Sequence, residues 1–173
     1  MHLWLQLKKL EERVKTLCKA VVAVLFAWAS FGAGGQVPQY GTSINLEQAM
    51  KVLAAAQAEA RKNAWPVAIA IVDNAGMLVA YERMDNTQTA AIQVSIDKAV
   101  SAAMYRRSTK AFQDVLAGGG AGLRILGLRG ASPVEGGLTL MMDGKVVGGI
   151  GVSGVNADQD GMVAKAGADS MPK

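Results

Sequence analysis

The chain has 173 residues, a formal net charge of +4, 51% hydrophobic and 18% charged residues. That composition supports one domain with a real core and argues against disorder. It holds a single histidine, His2, and a single cysteine, Cys18. Without its first twenty residues the protein has neither imidazole nor thiol, which excludes His/Cys zinc sites, cysteine nucleophiles and Ser-His-Asp triads.

In chain order, residues 1–19 carry Lys8, Lys9, Arg13, Lys15 and Lys19 against Glu11 and Glu12. Ala20–Ala29 follows as an uncharged apolar run ending in the A-x-A pattern Ala27-Trp28-Ala29. This is the layout of a secretory signal peptide over residues 1–29, cleaved after Ala29. An uncleaved anchor is the alternative, as is a start codon placed upstream of a shorter leader. The uncharged stretch through Gly35 is 16 residues, short of the ~18 of a membrane-spanning helix. Cleavage would leave 144 residues at a formal net charge of +1, so the basic pI belongs largely to the leader. The expected location is periplasmic or secreted. Arg106, Arg107, Lys110, Arg124 and Arg129 are scattered with little aromatic interleaving, so no nucleic-acid surface is expected.

Residues 30–43 read as a linker. A helix is predicted from Asn45, where Asn45-Leu-Glu-Gln48 has the form of a capping box; Asn63 and Trp65-Pro66 stop it. Val67–Val72 is a continuous apolar strand, Asp73-Asn74-Ala75-Gly76 a turn, and Met77–Arg83 a returning strand. Thr89–Tyr105 is the longest helical pattern, with Ile92, Ile96, Ala99 and Ala103 as its core stripe. Lys98 lies on the neighbouring row. It reads either as a snorkelling surface lysine or as a cation aimed into a pocket. Ser108–Leu116 reads as a short helix and Gly118–Gly122 as a mobile loop. Leu123–Val134 reads as a helical turn or edge strand, and Asn156–Ala168 as a last helix.

The most informative run is Gly136–Gly154. Leu138–Met142 and Lys145–Val152 flank Asp143-Gly144, a favoured two-residue hairpin turn. Gly149-Ile-Gly-Val-Ser-Gly154 also matches the dinucleotide fingerprint G-x-G-x-x-G. Only 19 residues follow Gly154, too few for the helix and parallel strand that fingerprint needs. The run is therefore read as a core hairpin. The whole pattern is α+β: a mainly antiparallel sheet with helices packed on it.

Several blocks resemble the GlcG/HbpS-type haem-binding family, which includes the C-terminal domain of PduO proteins. They are Ala68-Ile-Ala-Ile-Val-Asp-Asn-Ala-Gly76, Arg83-Met-Asp85, Lys98-Ala99 with Ser101-Ala102, Gly136-Gly137, Gly148–Gly154, Gln159-Asp160 and Ala166-Gly167. The leader followed by Tyr40-Gly41 is similar to the family's exported branch. The resemblance spans about Ile44 to Asp169 and places the domain at 44–173. It implies a profilin-like three-layer α/β/α fold, assembly into dimers or larger homo-oligomers, and binding of haem, a related tetrapyrrole or a small organic ligand. Two positions depart from the family. Thr139 stands where Gly-Gly-x-Pro has its proline, and Gly161 where an acidic residue usually follows Gln-Asp.

Haem needs an axial ligand and cations for its propionates. With histidine and cysteine gone, the candidate ligands are Met84, Met104, Tyr105, Lys98 and Thr109; Arg83, Lys98 or Arg107 would meet propionates. The binding residues expected from this reading are Arg83, Lys98, Tyr105, Thr109, Gly136 and Gly137, with no protein-bound metal site. The competing reading is a cofactor-independent isomerase, tautomerase or hydrolase acting on a small organic acid. Its acid–base groups would come from Lys98, Asp73, Asp85, Asp160 and Tyr105. A third is an accessory oligomer without catalysis.

Overall fold

The computed structural model describes Trp4 and residues 37–172. The chain divides into two compact units, Met1–Val37 and Pro38–Lys173, and everything below concerns the second. The expected leader (residue 4 excepted) and residues 30–36 of the expected linker lie outside the described residues.

The elements in order are α1 (Leu46–Lys62), β1 (Ala68–Asp73), β2 (Leu78–Arg83), α2 (Ala90–Tyr105), α3 (Thr109–Ala117), a 3-10 segment (Gly120–Gly127), β3 (Gly137–Met142), β4 (Lys145–Ser153) and α4 (Ala157–Asp169). The strands form one antiparallel sheet in the order β2-β1-β4-β3. Helices α1 and α4 pack together on one face, and α2 lies across the other. This is the expected α+β class in three α/β/α layers.

β1 is continuously apolar because both of its faces are covered. Ile69 and Ile71 join Val52, Leu53, Ala56, Ile150, Val152 and Val163 in the larger core, whereas Ala70 and Val72 meet Ala99 and Ala103 of α2. Each fully buried aliphatic side chain contributes about 1.5–3 kcal/mol.

The strand glycines explain the thinness of the second layer. A Cβ at Gly149 would collide with the Ala99 carbonyl oxygen, and one at Gly151 with that of Ser95. The backbone of α2 therefore rests directly on bare β4. This settles the fingerprint: Gly149 and Gly151 lie inside a central strand, and what they admit is a helix. It also alters the expected core stripe of α2. Ile92 and Ile96 are only half-buried, and the buried face is Ala91, Ser95, Lys98, Ala99, Ser101, Ala102 and Ala103.

Local signals place most boundaries. Asn45 and Gln48 form the capping box of α1. In the hairpin turn, Asp143 (φ 50°) and Gly144 (φ 70°) both take positive φ, as a two-residue turn of this kind demands. The Leu123–Val134 stretch contributes to the 3-10 segment and adds no strand. Residues 38–43, expected as linker, are held by the folded unit. Gly41 N donates to Val146 O, Val146 N to Gln39 O, and the Tyr40 hydroxyl to Met104 O at 2.9 Å. Arg106 stacks over the Tyr40 ring and donates to Pro38 O. Among the described residues no helix is long and apolar enough to cross a membrane.

Candidate functional site

The sequence-predicted site residues fall into three places. The first is a buried latch beneath the start of β3. Lys98 is 1% exposed and Asp160 2%; their Nζ–Oδ2 distance is 2.8 Å, and Nζ also donates to Val152 O at 2.9 Å. Lys98 is thus not a surface lysine. Asp160, in the first turn of α4, also accepts from Val155 N at 3.2 Å. Burial pushes its carboxyl above the ordinary range, a rise that the Lys98 hydrogen bond and charge oppose. Capping of α4 falls instead to Asn156 and Gln159.

Gly136 and Gly137 close this latch. Gly136 has φ 124°, and a Cβ there would stand 2.6 Å from Val152 O and 2.8 Å from Lys98 Nζ. At Gly137 a Cβ would meet Lys98 O and Thr109 Cγ2, both at 2.5 Å. Thr109 is fully buried and its Oγ1 accepts from Gly137 N at 2.9 Å. Lys98, Asp160, Thr109, Gly136 and Gly137 therefore come together, with their polar atoms turned toward one another. Beside them, a Cβ at Gly161 would stand 2.7 Å from Glu135 Oε1. Glu135 thus sets a carboxylate against this position of the helix.

The second place is dispersed. Asp73 accepts from Ala75 N and Met77 N at 2.9 and 2.8 Å, which makes it the organiser of the β1–β2 turn. It pairs with Gly148, whereas Ile69 pairs with Val152. Four residues of strand separate Asp73 from the latch, roughly 13 Å. Tyr105, seven residues beyond Lys98 on α2 and so about 10 Å along its axis, donates to Arg129 O at 2.8 Å and sets its ring edge-on to Phe112. Arg107 lies over the Phe112 ring, and Met104 is exposed.

The third place is an open cleft of about 510 Å³ between the C-terminal end of α1 and the end of β2, lined by Arg61, Ala64, Trp65, Pro66, Glu82, Arg83, Met84, Asp85 and Asn86. Arg83, Met84 and Asp85 are the sequence candidates that fall here. Trp65 and Pro66 are the residues expected to stop the helix, and Arg61 carries no signal of its own in the sequence. Their placement has a local cause. Trp65 N donates to Ala60 O and Ala64 N to Arg61 O, the two bonds of a Schellman ending in which Ala64 (φ 55°) holds the left-handed position usually given to glycine. That turn swings the Trp65 ring against the core and leaves the Arg61 side chain exposed beside it. The opposite wall bends at Asn86, φ 63°.

No ion pair involving Arg61 or Arg83 occurs among the described residues, although Glu82 and Asp85 line the same cleft. The Glu82 carboxylate accepts instead from the Gln57 amide. Latch and cleft border one end of the sheet: Ala68 pairs with Arg83 on one side and Ser153 on the other, and a Cβ at Gly154 would run into Pro66 and Val67.

The model of the family described as "Haem degrading protein HbpS-like" matches residues 44–169. The chain belongs to the HbpS-like family. Among relatives, it is 38% identical to Protein GlcG of Escherichia coli K12 over 110 residues, 64% of this chain and 81% of GlcG. An uncharacterised 15.0 kDa protein of Citrobacter freundii is 31% identical over 129 residues, 73% of this chain and 91% of the relative. Among solved structures, a double mutant of Streptomyces reticuli HbpS superposes with a TM-score of 0.71 at 29% identity, covering 82% of this chain and 95% of that one. A PduOC:heme complex superposes with a TM-score of 0.68 at 25% identity, covering 75% and 96%.

Proposed function

We propose that this chain binds haem or a related tetrapyrrole as a self-associating protein exported by its leader. The observation that carries the binding reading is the likeness to PduOC, over nearly all of that chain, in a structure of its haem complex. The residues present leave a haem to be held chiefly by its periphery. Residues 38–172 offer no histidine or cysteine, Lys98 and Thr109 are committed inside the latch, and the Tyr105 hydroxyl is committed to Arg129 O. A bound haem would supply a redox-active iron. With no strong iron ligand free among these residues, modest and reversible affinity is expected.

An acid–base enzyme needs its groups to face one pocket. Asp73, the Lys98–Asp160 pair and Tyr105 point to three different places, which favours the binding reading over catalysis. Self-association is supported by Val115 of α3 and by Leu123, Leu126 and Leu128 in and just after the 3-10 segment, all exposed. Light scattering is expected to give a dimer or larger species that Leu126→Asp shifts toward monomer; a monomeric wild type overturns this part. Export is tested by mass spectrometry of secreted or periplasmic protein. Ser30 is the expected first residue, and an intact Met1 contradicts cleavage. The binding reading itself is tested by titrating haemin into the purified protein. A shifted Soret band saturating at micromolar haemin is expected; an unchanged spectrum defeats the reading.

A further inference from the structure

We infer that the free edge of β3 pairs antiparallel with β3 of a second copy of this chain. Thr139 of each copy faces Met141 of the other across a two-fold axis, and the two sheets join into one. The inference rests on the self-association reading and adds a contact that uses none of Val115, Leu123, Leu126 and Leu128.

β3 is an outermost strand of the sheet, and the direction of its backbone groups is fixed at three points. Gly136 O accepts from Val152 N at 2.9 Å, so Gly136 faces β4. Gly137 faces the other way, its N–H donating to Thr109 Oγ1 at 2.9 Å. Val146, paired with Met141, turns away from β3: its N–H donates to Gln39 O and its C=O accepts from Gly41 N. Bonded and non-bonded residues alternate along an antiparallel pair, so Thr139 and Met141 both present N–H and C=O outward. The irregularity between Leu140 and Met141 adds its extra residue, Val147, to β4, so the alternation of β3 is unbroken. Among the described residues no hydrogen bond reaches the outward groups of Thr139 and Met141.

This edge is electrostatically complementary to itself. In a two-fold pairing centred on Leu140, the N–H and C=O of Thr139 meet the C=O and N–H of Met141 from the second copy, and the reverse. Donor therefore meets acceptor at every outward group. The side chains do not oppose it, since Leu138–Met142 holds no charge and no proline, two devices by which natural proteins blunt an edge. The opposite edge, β2, does carry charge, at Glu82 and the exposed Arg83. Beside β3 an open groove of about 770 Å³ borders Met141, Met142, Met171 and Pro172, which leaves space for the side chains of an added strand. Lys165 and Asp169 in that groove are already paired with each other, so they set no charge demand on the occupant. A short uncharged edge matches its own copy in length and in polarity.

The test compares the full chain with Thr139→Pro, Thr139→Val and Leu126→Asp by sedimentation and by amide hydrogen exchange. Proline at 139 removes an outward N–H and no bond within the sheet, a position where an edge strand tolerates it. Its self-dissociation constant is expected to rise about 30-fold or more, because half of the interchain hydrogen bonds are lost. Thr139→Val keeps the N–H and is expected to assemble like wild type. The Met141 amide, which has no acceptor in its own chain, is expected to exchange slowly in wild type and in Leu126→Asp, and rapidly in Thr139→Pro. Dilution of wild type reads the same contact without a substitution: Met141 exchange is expected to quicken as the assembly dissociates, and exchange independent of concentration overturns the pairing. A Thr139→Pro protein that melts, sediments and protects Met141 like an assembled wild type also overturns it, while self-association stands. A protected Met141 in a protein that sediments as a monomer replaces the second copy by a segment of the same chain. A monomeric wild type with a rapidly exchanging Met141 defeats both readings together.

Discussion

Lys98 and Asp160 are the residues whose chemistry and burial are most at odds. Two charges at the bottom of a fold are tolerated because each has a second partner, Val152 O for the ammonium and Val155 N for the carboxylate. Removing one partner leaves the other buried and uncompensated, so Lys98→Met and Asp160→Asn are each expected to cost about 3–5 kcal/mol. The double variant Lys98→Met/Asp160→Asn is expected to cost clearly less than the two added together, by 1 kcal/mol or more. Urea unfolding of the four proteins measures this, and simple additivity would mean the pair is not coupled.

The same pair fixes a pH dependence. Burial raises the folded-state pKa of Asp160 above its unfolded value of 3.8, so between the two values the native chain holds more of that proton than the unfolded chain. The contribution is fully present below 3.8, and is lost as pH rises through the folded value. Lys98 opposes the rise, so in Lys98→Met the window of falling stability extends to higher pH, and in Asp160→Asn it is absent. Unfolding midpoints taken across the acid range read the slope directly. A Lys98→Met profile parallel to wild type would refute the coupling. Little of this was legible in the sequence: the row position of Lys98 is compatible with exposure, and its partner is 62 residues away.

Among the elements, those written in local chemistry were the legible ones. Asp143-Gly144 specifies its own turn, Asn45–Gln48 its own cap, and the unbroken Val67–Val72 run a strand covered on both faces. What local chemistry does not write is which element a bare surface receives. Gly149 and Gly151 read in the sequence only as part of a core hairpin, and the packing shows that they admit α2. Gly151→Ala is therefore expected to push α2 off β4 and cost about 3 kcal/mol or more. By contrast Gly127→Ala, where a Cβ meets nothing within 4 Å, should be nearly neutral; equal effects in thermal melts would contradict the helix-on-glycine account. The end of α1 gives the opposite sign. Ala64 occupies the left-handed position of the Schellman turn, so Ala64→Gly is expected to stabilise by about 0.5–1 kcal/mol, seen as a higher unfolding midpoint. The same turn packs Trp65 against the core and leaves Arg61 exposed at the rim of the cleft. That explains why Arg61 was missed: in α1 it looks like an ordinary outward base, and only the turn brings it to Arg83, 22 residues on.

At the scale of the molecule, three layers follow from a β-α pattern that composition and periodicity express well, whereas the start of the folded unit does not. A Gly- and Pro-bearing stretch reads as linker because its residues do not repeat with any helical or strand period. Yet residues 38–43 act by single contacts, each made to a distant element. Tyr40 reaches two free carbonyls at the C-terminal end of α2, Ala103 O at 3.2 Å and Met104 O at 2.9 Å. Its neighbours bond the backbone of Val146 from both sides, Ile44 N donates to Val147 O, and Asn74 Nδ2 holds Gly41 O at 2.8 Å. Arg106, itself left-handed at the helix end with φ 53°, covers the tyrosine ring from 5.0 Å. A chain beginning at Ile44 loses the bonds made by residues 38–43 and exposes the end of α2 and the start of β4, whereas a chain beginning at Pro38 keeps them. With net values near 1 kcal/mol per hydrogen bond, reduced by partial exposure, the shorter chain is expected to be about 2–4 kcal/mol less stable. Its melting temperature should fall by roughly 6–20 °C for a domain of this size. Tyr40→Phe in the longer chain isolates the hydroxyl and should reproduce only about 1 kcal/mol of that loss. Equal melting of the two chains would return residues 38–43 to the linker. A loss confined to the shorter one makes this strap the closure of the layer that carries Lys98, and so part of what holds the latch shut.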